Sequence, residues 1–472
     1  MSRDGEATDA TEAGDADAVE EPPVDTGDAE APAGGADTPS HRPATAAIHA
    51  GWDDGPAARS RSPPIHQSAS FGFPSAEAAA ETYALREQRD VYTRISNPTT
   101  RALERRLAAL SGGTDAVATN SGMAAVDTIT TVLAQAGDNV VAGAEMYGGT
   151  SSYLANTASR RGVELRAVET TEPDAYAAAI DEDTAYVHVE TLANPSVATP
   201  DLAAVAEVAH DHAVPLVVDN TFATPALCRP IDHGADIVWS STTKWLHGAG
   251  TTIGGVIVDG GTFPWDHPDA DYAELSGENP AFGFDFVERF GDRAFGAVAR
   301  HRGVRALGNA QSPFDAWQTL QGVNTLPTRM ERHCENTRRV AEHLREHPDV
   351  AWVRYPGFAD HPTHDAAAEY LDDFGSVVVF GIEGGYEAGV AFCEAVETIS
   401  FVANIGDARS LVVHPASTTH AQLDEAAQRE AGVTPDLLRL SVGLEDPADI
   451  CRDVDQAIET AVATASDGGA SS

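Results

Sequence analysis

Lysine is nearly missing from this chain. Among 472 residues there are 30 basic side chains, of which 29 are Arg and one, at position 244, is Lys, against 73 Asp and Glu. Positive charge is scarce altogether, and the formal net charge of −43 argues against nucleic acid or an anionic membrane surface as partner, since binding there depends on Lys and Arg neutralising phosphates. No run of about eighteen apolar residues is present to span a bilayer. The opening MSRDGEATDA lacks the basic-then-apolar pattern of a secretory leader, so the expected location is the cytoplasm. Cys228, Cys334, Cys393 and Cys451 are far apart with no CxxC pair, which argues against a disulfide framework or a zinc site and leaves four free thiols expected. HExxH is missing too, and the pairs His361/His364 and His414/His420 fall in Pro-containing stretches, so no metal is expected.

What is present is an apolar fraction of 42%, enough to bury a sizeable interior, in a chain long enough for two or three domains. An acidic surface stripped of Lys suits a salt-rich cytoplasm, where carboxylates stay hydrated and their repulsion is screened, and the chain reads as halophilic. Where Arg has replaced Lys almost everywhere, the surviving Lys244 points to chemistry Arg cannot perform, above all imine formation with a carbonyl. The plainer reading is a buried or ion-paired lysine.

Residues 1–40 hold twelve acidic residues, one Arg, no aromatic and no Leu or Ile, and read as a disordered acidic tail. Removing its net −11 leaves −32 on residues 41–472, so the folded part is itself acidic. After an N-terminal arm at 41–100, residues 101–310 alternate short apolar runs with stretches of helical period, the α/β signature of a mostly parallel sheet. Strands are expected at 116–119, 140–142, 186–189, 216–218, 237–239 and 255–258. The Gly-, Pro-, Asp- and Phe-rich segment 260–311 breaks that rhythm and reads as a long insert. A smaller α+β domain is expected over 311–464, helical through 312–347 and with strands at 377–380, 411–413 and 438–442. Residues 465–472 read as a disordered end.

Lys244 lies just past the C-terminal end of a strand, and Asp219 ends the preceding strand, on the edge where open α/β sheets bind ligands. A buried carboxylate there needs a cation to stay ionised, which a protonated ring nitrogen of an organic cofactor would supply; a turn cap or an Arg pair are the alternatives. Ala116 to Ala125 reads as strand, Gly turn and helix, with Gly122 and Met123 presenting free N–H groups to an anion, and Ser241 and Thr243 could add hydroxyl donors. An imine-forming Lys, an Asp for a ring nitrogen and donors for a phosphate together describe pyridoxal phosphate. Competing lysine chemistries fail: Thr243, not Gly, precedes Lys244, against a P-loop, and Ser stands at 240 where one dehydrogenase type needs Tyr.

The segments Tyr92-Thr93-Arg94-Ile95-Ser96-Asn97-Pro98-Thr99, Ser121-Gly122-Met123-Ala124, Tyr147-Gly148-Gly149-Thr150, Val218-Asp219-Asn220-Thr221-Phe222, Ser241-Thr242-Thr243-Lys244 and Arg439 to Glu445 resemble the pyridoxal-phosphate enzymes of cysteine and methionine metabolism, over roughly residues 44–464. The resemblance implies fold type I, with a large mostly parallel-sheet cofactor domain and a smaller α+β C-terminal domain. It implies that Lys244 carries the cofactor as an imine, Asp219 faces the ring nitrogen, and Tyr147 stacks on the ring and shuttles protons. Gly122, Met123, Ser241 and Thr243 would bind the phosphate, and Asn194 would sit near the ring hydroxyl. Tyr92 and Arg94 resemble a pair that reaches the phosphate of a neighbouring subunit, in a homotetramer built as a dimer of dimers. Arg439 matches the binder of the substrate carboxylate, and its strand agrees: Leu438, Leu440 and Val442 face one side, Arg439 and Ser441 the other. A surface Arg on a half-exposed strand is the plainer reading there.

Within the family, Ala403 to Arg409, including Asn404 at the substrate, His414 to His420, Ser276 to Pro280 and Ser312-Pro313-Phe314 are similar to the O-acetylhomoserine sulfhydrylase type. The implied activity is γ-replacement of the acetoxy group of O-acetyl-L-homoserine by sulfide, giving L-homocysteine. Cystathionine γ-synthase and cystathionine or methionine γ-lyase on the same scaffold are the alternatives, with a cofactor-free Schiff-base aldolase and a non-catalytic binding protein further off.

Overall fold

The structure is a computed structural model that describes residues 41–52, 60–421, 424–430 and 432–469. The expected acidic tail, 1–40, lies outside the described residues.

Seven strands form the larger sheet: β1 (Asp115–Thr119), β2 (Asn139–Gly143), β3 (Glu164–Val168), β4 (Thr184–Glu190), β5 (Leu216–Asp219), β6 (Ile237–Ser240) and β7 (Gly255–Asp259). Their spatial order is β1-β7-β6-β5-β4-β2-β3, all parallel except β7, which runs against both neighbours. Each of the six expected strands is there. The unexpected one, β3, is an edge strand whose Glu164-Leu165-Arg166-Ala167-Val168 is too polar to read as buried. The inner strands are largely apolar, with His188 of β4 the exception at mid-strand, because both faces are covered. Alternate side chains enter opposite cores: Val218, Val238 and Val258 one, Val217, Ile237, Trp239 and Ile257 the other.

The second sheet has five strands, β8 (Val350–Arg354), β9 (Val377–Ile382), β10 (Ser400–Phe401), β11 (Leu411–Val413) and β12 (Leu437–Ser441), in the order β10-β11-β12-β9-β8. Val378, Phe380, Leu438 and Leu440 form its own core with the helices Gly385–Ala395 and Pro447–Gly469, while Val377, Val379 and Leu437 face the core of the larger sheet. That face is the one carrying Arg439.

Three boundaries differ from expectation. The helix Pro313–Val323 buries Ala316, Leu320 and Val323 in the large core, and the helix Leu326–Glu346 gives Leu326, Met330 and Cys334 to that core but Val340, Ala341 and Leu344 to the small one. The division therefore runs through a helix and not at residue 311. The segment 260–311 is no loose insert: Phe263, Trp265, Tyr272, Phe286 and Phe295 pack into the second core, and its second half is helical at Phe286–Phe290, Ala294–Ala299 and Arg300–Leu307. The Gly, Pro and Asp residues scattered through the segment mask the four-residue spacing of Phe282, Phe286 and Phe290. The C-terminal helix continues to Gly469, taking in residues 465–469 of the expected disordered end, because Ala465 extends the stripe of Ile450, Val454, Ala457, Ile458 and Ala461 onto the small core.

Candidate active site

Parallel strands β4, β5 and β6 end at one level, with Glu190 opposite Asp219 and Asp219 opposite Trp239. Beyond that edge lies a cavity of about 530 Å³ lined by residues of both sheets. Lys244 enters it from the turn after β6. Gly406, in the second sheet's approach to the cavity, fits against this turn only because it lacks a side chain: at its φ of +71°, a Cβ would lie 2.7 Å from the Trp245 nitrogen and 2.9 Å from the Lys244 Cβ. The Nζ of Lys244 donates to Oδ1 of Asn404. Burial, and next the positive Arg439, push the Lys244 ammonium down to about 8, so roughly a tenth of the amine is free base at pH 7.

Asp219 is buried, and its Oδ1 accepts from the Thr221 N–H at 2.9 Å and the Thr221 hydroxyl at 2.5 Å. Burial still pushes it up to about 7. Glu190 is buried beside it and held well above the usual carboxylate range, first by burial and then by the Asp219 charge. Two carboxylates in this setting call for a cation in the cavity.

The helix Gly122–Leu133 starts at the cavity. Ser121 Oγ caps it by accepting from the Ala124 N–H at 3.1 Å, while the first-turn N–H groups of Gly122 and Met123 have no partner within the helix. A Cβ on Gly122 would stand 3.0 Å from Ser241 Cβ and 3.2 Å from Trp239 Cζ3, so glycine lets this end come close to β6. Ser241 and Thr243 line the same wall; the Thr243 hydroxyl also receives the Gly254 N–H at 3.1 Å. N–H groups and hydroxyls converging at a helix start suit a phosphate.

On the opposite wall, Arg439 extends from β12, and its Nη1 donates to Asn194 Oδ1 at 2.8 Å. Its Nε is buried with no hydrogen-bond partner, and burial pushes the guanidinium down to about 10. Such a guanidinium has donors to spare for a carboxylate. As expected, Leu438, Leu440 and Val442 turn into the small core, while the Ser441 hydroxyl accepts the Gly406 N–H at 3.1 Å.

Of the sequence candidates, Lys244, Asp219, Tyr147, Gly122, Met123, Ser241, Thr243, Asn194, Asn404 and Arg439 all line the cavity. Tyr92 and Arg94 do not: both are exposed elsewhere, Arg94 lying 5.4 Å from the centroid of the Tyr92 ring and donating to the Arg305 carbonyl. Two ionisable lining residues, Glu190 and His420, are not among the sequence candidates. Glu190 lies four residues before Asn194, and His420 ends the His414 to His420 stretch that is similar to the O-acetylhomoserine sulfhydrylase type. Burial and then Arg439 lower the His420 imidazole, and its Nδ1 meets the Thr419 hydroxyl at 2.9 Å.

The family model for Cys/Met metabolism PLP-dependent enzymes matches residues 44–459. The O-acetyl-L-homoserine sulfhydrylase 1 of Thermus thermophilus is 46% identical over 418 residues, 88% of this chain and 99% of its own length. The O-acetyl-L-homoserine sulfhydrylase of Leptospira meyeri is 44% identical over 429 residues, covering 89% and 97%, and the homocysteine synthase of Schizosaccharomyces pombe is 43% identical over 420 residues, covering 88% and 98%. A solved structure from Campylobacter jejuni, carrying N'-pyridoxyl-lysine-5'-monophosphate, is similar at a TM-score of 0.85 and 33% identity, over 89% of this chain and 100% of that one.

Proposed function

Because the chain belongs to the pyridoxal-phosphate-dependent enzymes of cysteine and methionine metabolism, we propose that it exchanges the acetoxy group of O-acetyl-L-homoserine for sulfide, releasing L-homocysteine and acetate. The cofactor is pyridoxal 5'-phosphate. The residues fit it: Lys244 would carry it covalently, buried Asp219 would meet the cationic ring nitrogen that such a carboxylate requires, and the start of the Gly122–Leu133 helix with Ser241 and Thr243 would hold the phosphate. When bound, it supplies an electron sink for charge left at the α-carbon.

The chain's own groups do the rest. Arg439, steadied by Asn194, binds the substrate α-carboxylate through its spare donors. Lys244, with an amine that is partly free base near neutral pH, moves protons between the α- and β-carbons, and Asn404 holds that amine at the cavity wall. Tyr147 lies at the cavity's exposed side, where it screens the reacting centre from water.

The observation that carries the choice of substrate is the charge inventory of the cavity. Among its described lining residues the only lysine or arginine side chains are Lys244 and Arg439. Once these engage the cofactor and the α-carboxylate, no lysine or arginine of this chain remains for a second carboxylate, so an acetyl ester fits and a succinyl ester would leave a charge unpaired by them.

The same reading makes the enzyme a homotetramer whose subunits lend Tyr92 and Arg94 to a neighbour's phosphate; that both side chains are exposed and stand apart from their own chain's cavity supports it. It also places the protein in a salt-rich cytoplasm, supported by the single Lys and the net charge of −43. Among the described residues no helix is long and apolar enough to cross a membrane. The test is product analysis in concentrated potassium chloride with pyridoxal phosphate, O-acetylhomoserine, sulfide and cysteine together. Homocysteine as main product is expected; cystathionine or 2-oxobutanoate would overturn the substrate assignment and keep the cofactor.

A further inference from the structure

We propose that Glu190 is a positioning residue whose carboxylate braces the two walls of the cavity, holding the Tyr147 turn on one side and the Asn194–Arg439 pair on the other. The proposal rests on the reading of the cavity as an amino-acid and cofactor site. Glu190 is the last residue of β4 and is buried. Its Oε1 accepts the Tyr147 N–H at 2.6 Å and its Oε2 accepts the Asn194 N–H at 2.9 Å. Asn194 passes the constraint on, since its Oδ1 accepts from Arg439 Nη1 at 2.8 Å. One side chain thus connects the turn that presents the aromatic ring to the residue that orients the carboxylate binder.

Packing alone does not explain a charged group in this place. Glu190 lines the main cavity on one side and a second cavity, of about 350 Å³, on the other, with Tyr176, Glu145 and His361 among the second cavity's walls. With open space on both sides, the two N–H donors fix where the carboxylate stands. Asp219 lies directly across the strand pair, so ionising Glu190 here is opposed by burial and by a like charge. Glutamine would avoid both costs, yet its amide has a single accepting oxygen and would turn two donors toward the second N–H. Two backbone donors pointing inward from different segments call for two acceptors in a fork, which a carboxylate supplies. Glu190 touches neither reacting atoms nor cofactor in this role; it acts through Tyr147, Asn194 and Arg439.

The experiment compares wild type, Glu190→Gln and Glu190→Asp, each loaded with cofactor. Glu190→Gln keeps the shape and loses one acceptor; Glu190→Asp keeps both acceptors and is too short to reach both donors. Binding of norvaline, an amino acid with no leaving group, is followed through the visible spectrum of the bound cofactor, with its visible circular dichroism and the thermal midpoint recorded in parallel. Both variants should bind norvaline about tenfold more weakly, the effect of losing one charge-assisted hydrogen bond, and should alter the circular dichroism. The KM for O-acetylhomoserine should rise likewise while the KM for sulfide stays within about twofold. Unchanged norvaline affinity in either variant that loads, whether or not its thermal midpoint falls, overturns the brace and reduces Glu190 to a fold-supporting residue. A wild type whose spectrum ignores norvaline overturns the reading of the cavity, and the brace with it.

Discussion

Asp219, Ser241, Thr243 and Lys244 reach the cavity from the ends of two neighbouring strands, whereas Arg439 arrives from a strand of the other sheet and Asn404 and His420 from its loops, Asn404 160 residues beyond the lysine it touches. The first group is tied down by nearby backbone: the Thr221 N–H and hydroxyl on Asp219, the Thr221 hydroxyl on the Ser241 N–H, the Gly254 N–H on Thr243. The second group is held by side-chain contacts, Asn404 to Lys244 of the first group and Arg439 to Asn194 after β4, and leaves the Arg439 Nε without a partner. In the proposed function, the first wall would hold a cofactor that stays, and the second would hold a substrate that comes and goes. The difference teaches where to look for chemistry and where to look for selectivity in this fold.

Changing Lys244 is the most direct way to break that contrast. Lys244→Arg keeps the charge and forbids the covalent link, so turnover of O-acetylhomoserine and sulfide should fall by about 10³-fold or more. An active variant would mean that this wall contributes only charge. On the other wall, Arg439→Gln should raise the KM for O-acetylhomoserine by about 10- to 100-fold while cofactor affinity, from equilibrium titration, stays within about twofold. It should also move the pH midpoint for cofactor attachment upward from about 8, because a neighbouring positive charge that disfavours the Lys244 ammonium has gone. Cofactor affinity falling as far as substrate affinity would merge the two walls into one.

The smallest effect sharpens the account of Asp219. In the cofactor-free protein its carboxyl is raised to about 7, so stability tied to this group is lost as pH climbs from the ordinary carboxylate range through 7, where the buried acid must ionise. A cation opposite it removes that penalty. The gain in Tm on loading the cofactor should therefore be larger near about pH 7.5 than near about pH 5, by about 2 °C. Equal gains would show that no cation meets Asp219.

These two walls were also unequally readable. A lone Lys, an Asp one strand earlier and a Gly turn before a helix lie on apolar runs whose ends are visible in the sequence, so Lys244, Asp219 and Gly122 could be placed on one sheet edge from strand order alone. The period-2 pattern around Arg439 gave its face too, and the core shared by Val377, Val379 and Leu437 with the large sheet shows which way that face points. Contacts made by folding were out of reach. Glu190 matters through two N–H groups from separate segments, and nothing in its neighbours' spacing announces either. His420 sits beside Pro415 and Thr419 in a stretch whose meaning depends on Arg439 approaching it. The segment 260–311 reads as an insert because Gly, Pro and Asp interrupt it, whereas its aromatics pack against one another through folding, Trp265 on Phe263, Tyr272 and Phe295.

The helix Leu326–Glu346 has 21 residues and a length of roughly 31 Å, with one end rooted in each sheet's core. It works as an axle between them: to swing the Arg439 wall away from Lys244, the chain would have to bend this axle or pull Leu326 and Met330, or Val340 and Leu344, out of their cores, at about 1.5–3 kcal/mol for each such side chain exposed. Substrate entry is thereby left to the cavity mouth and its loops.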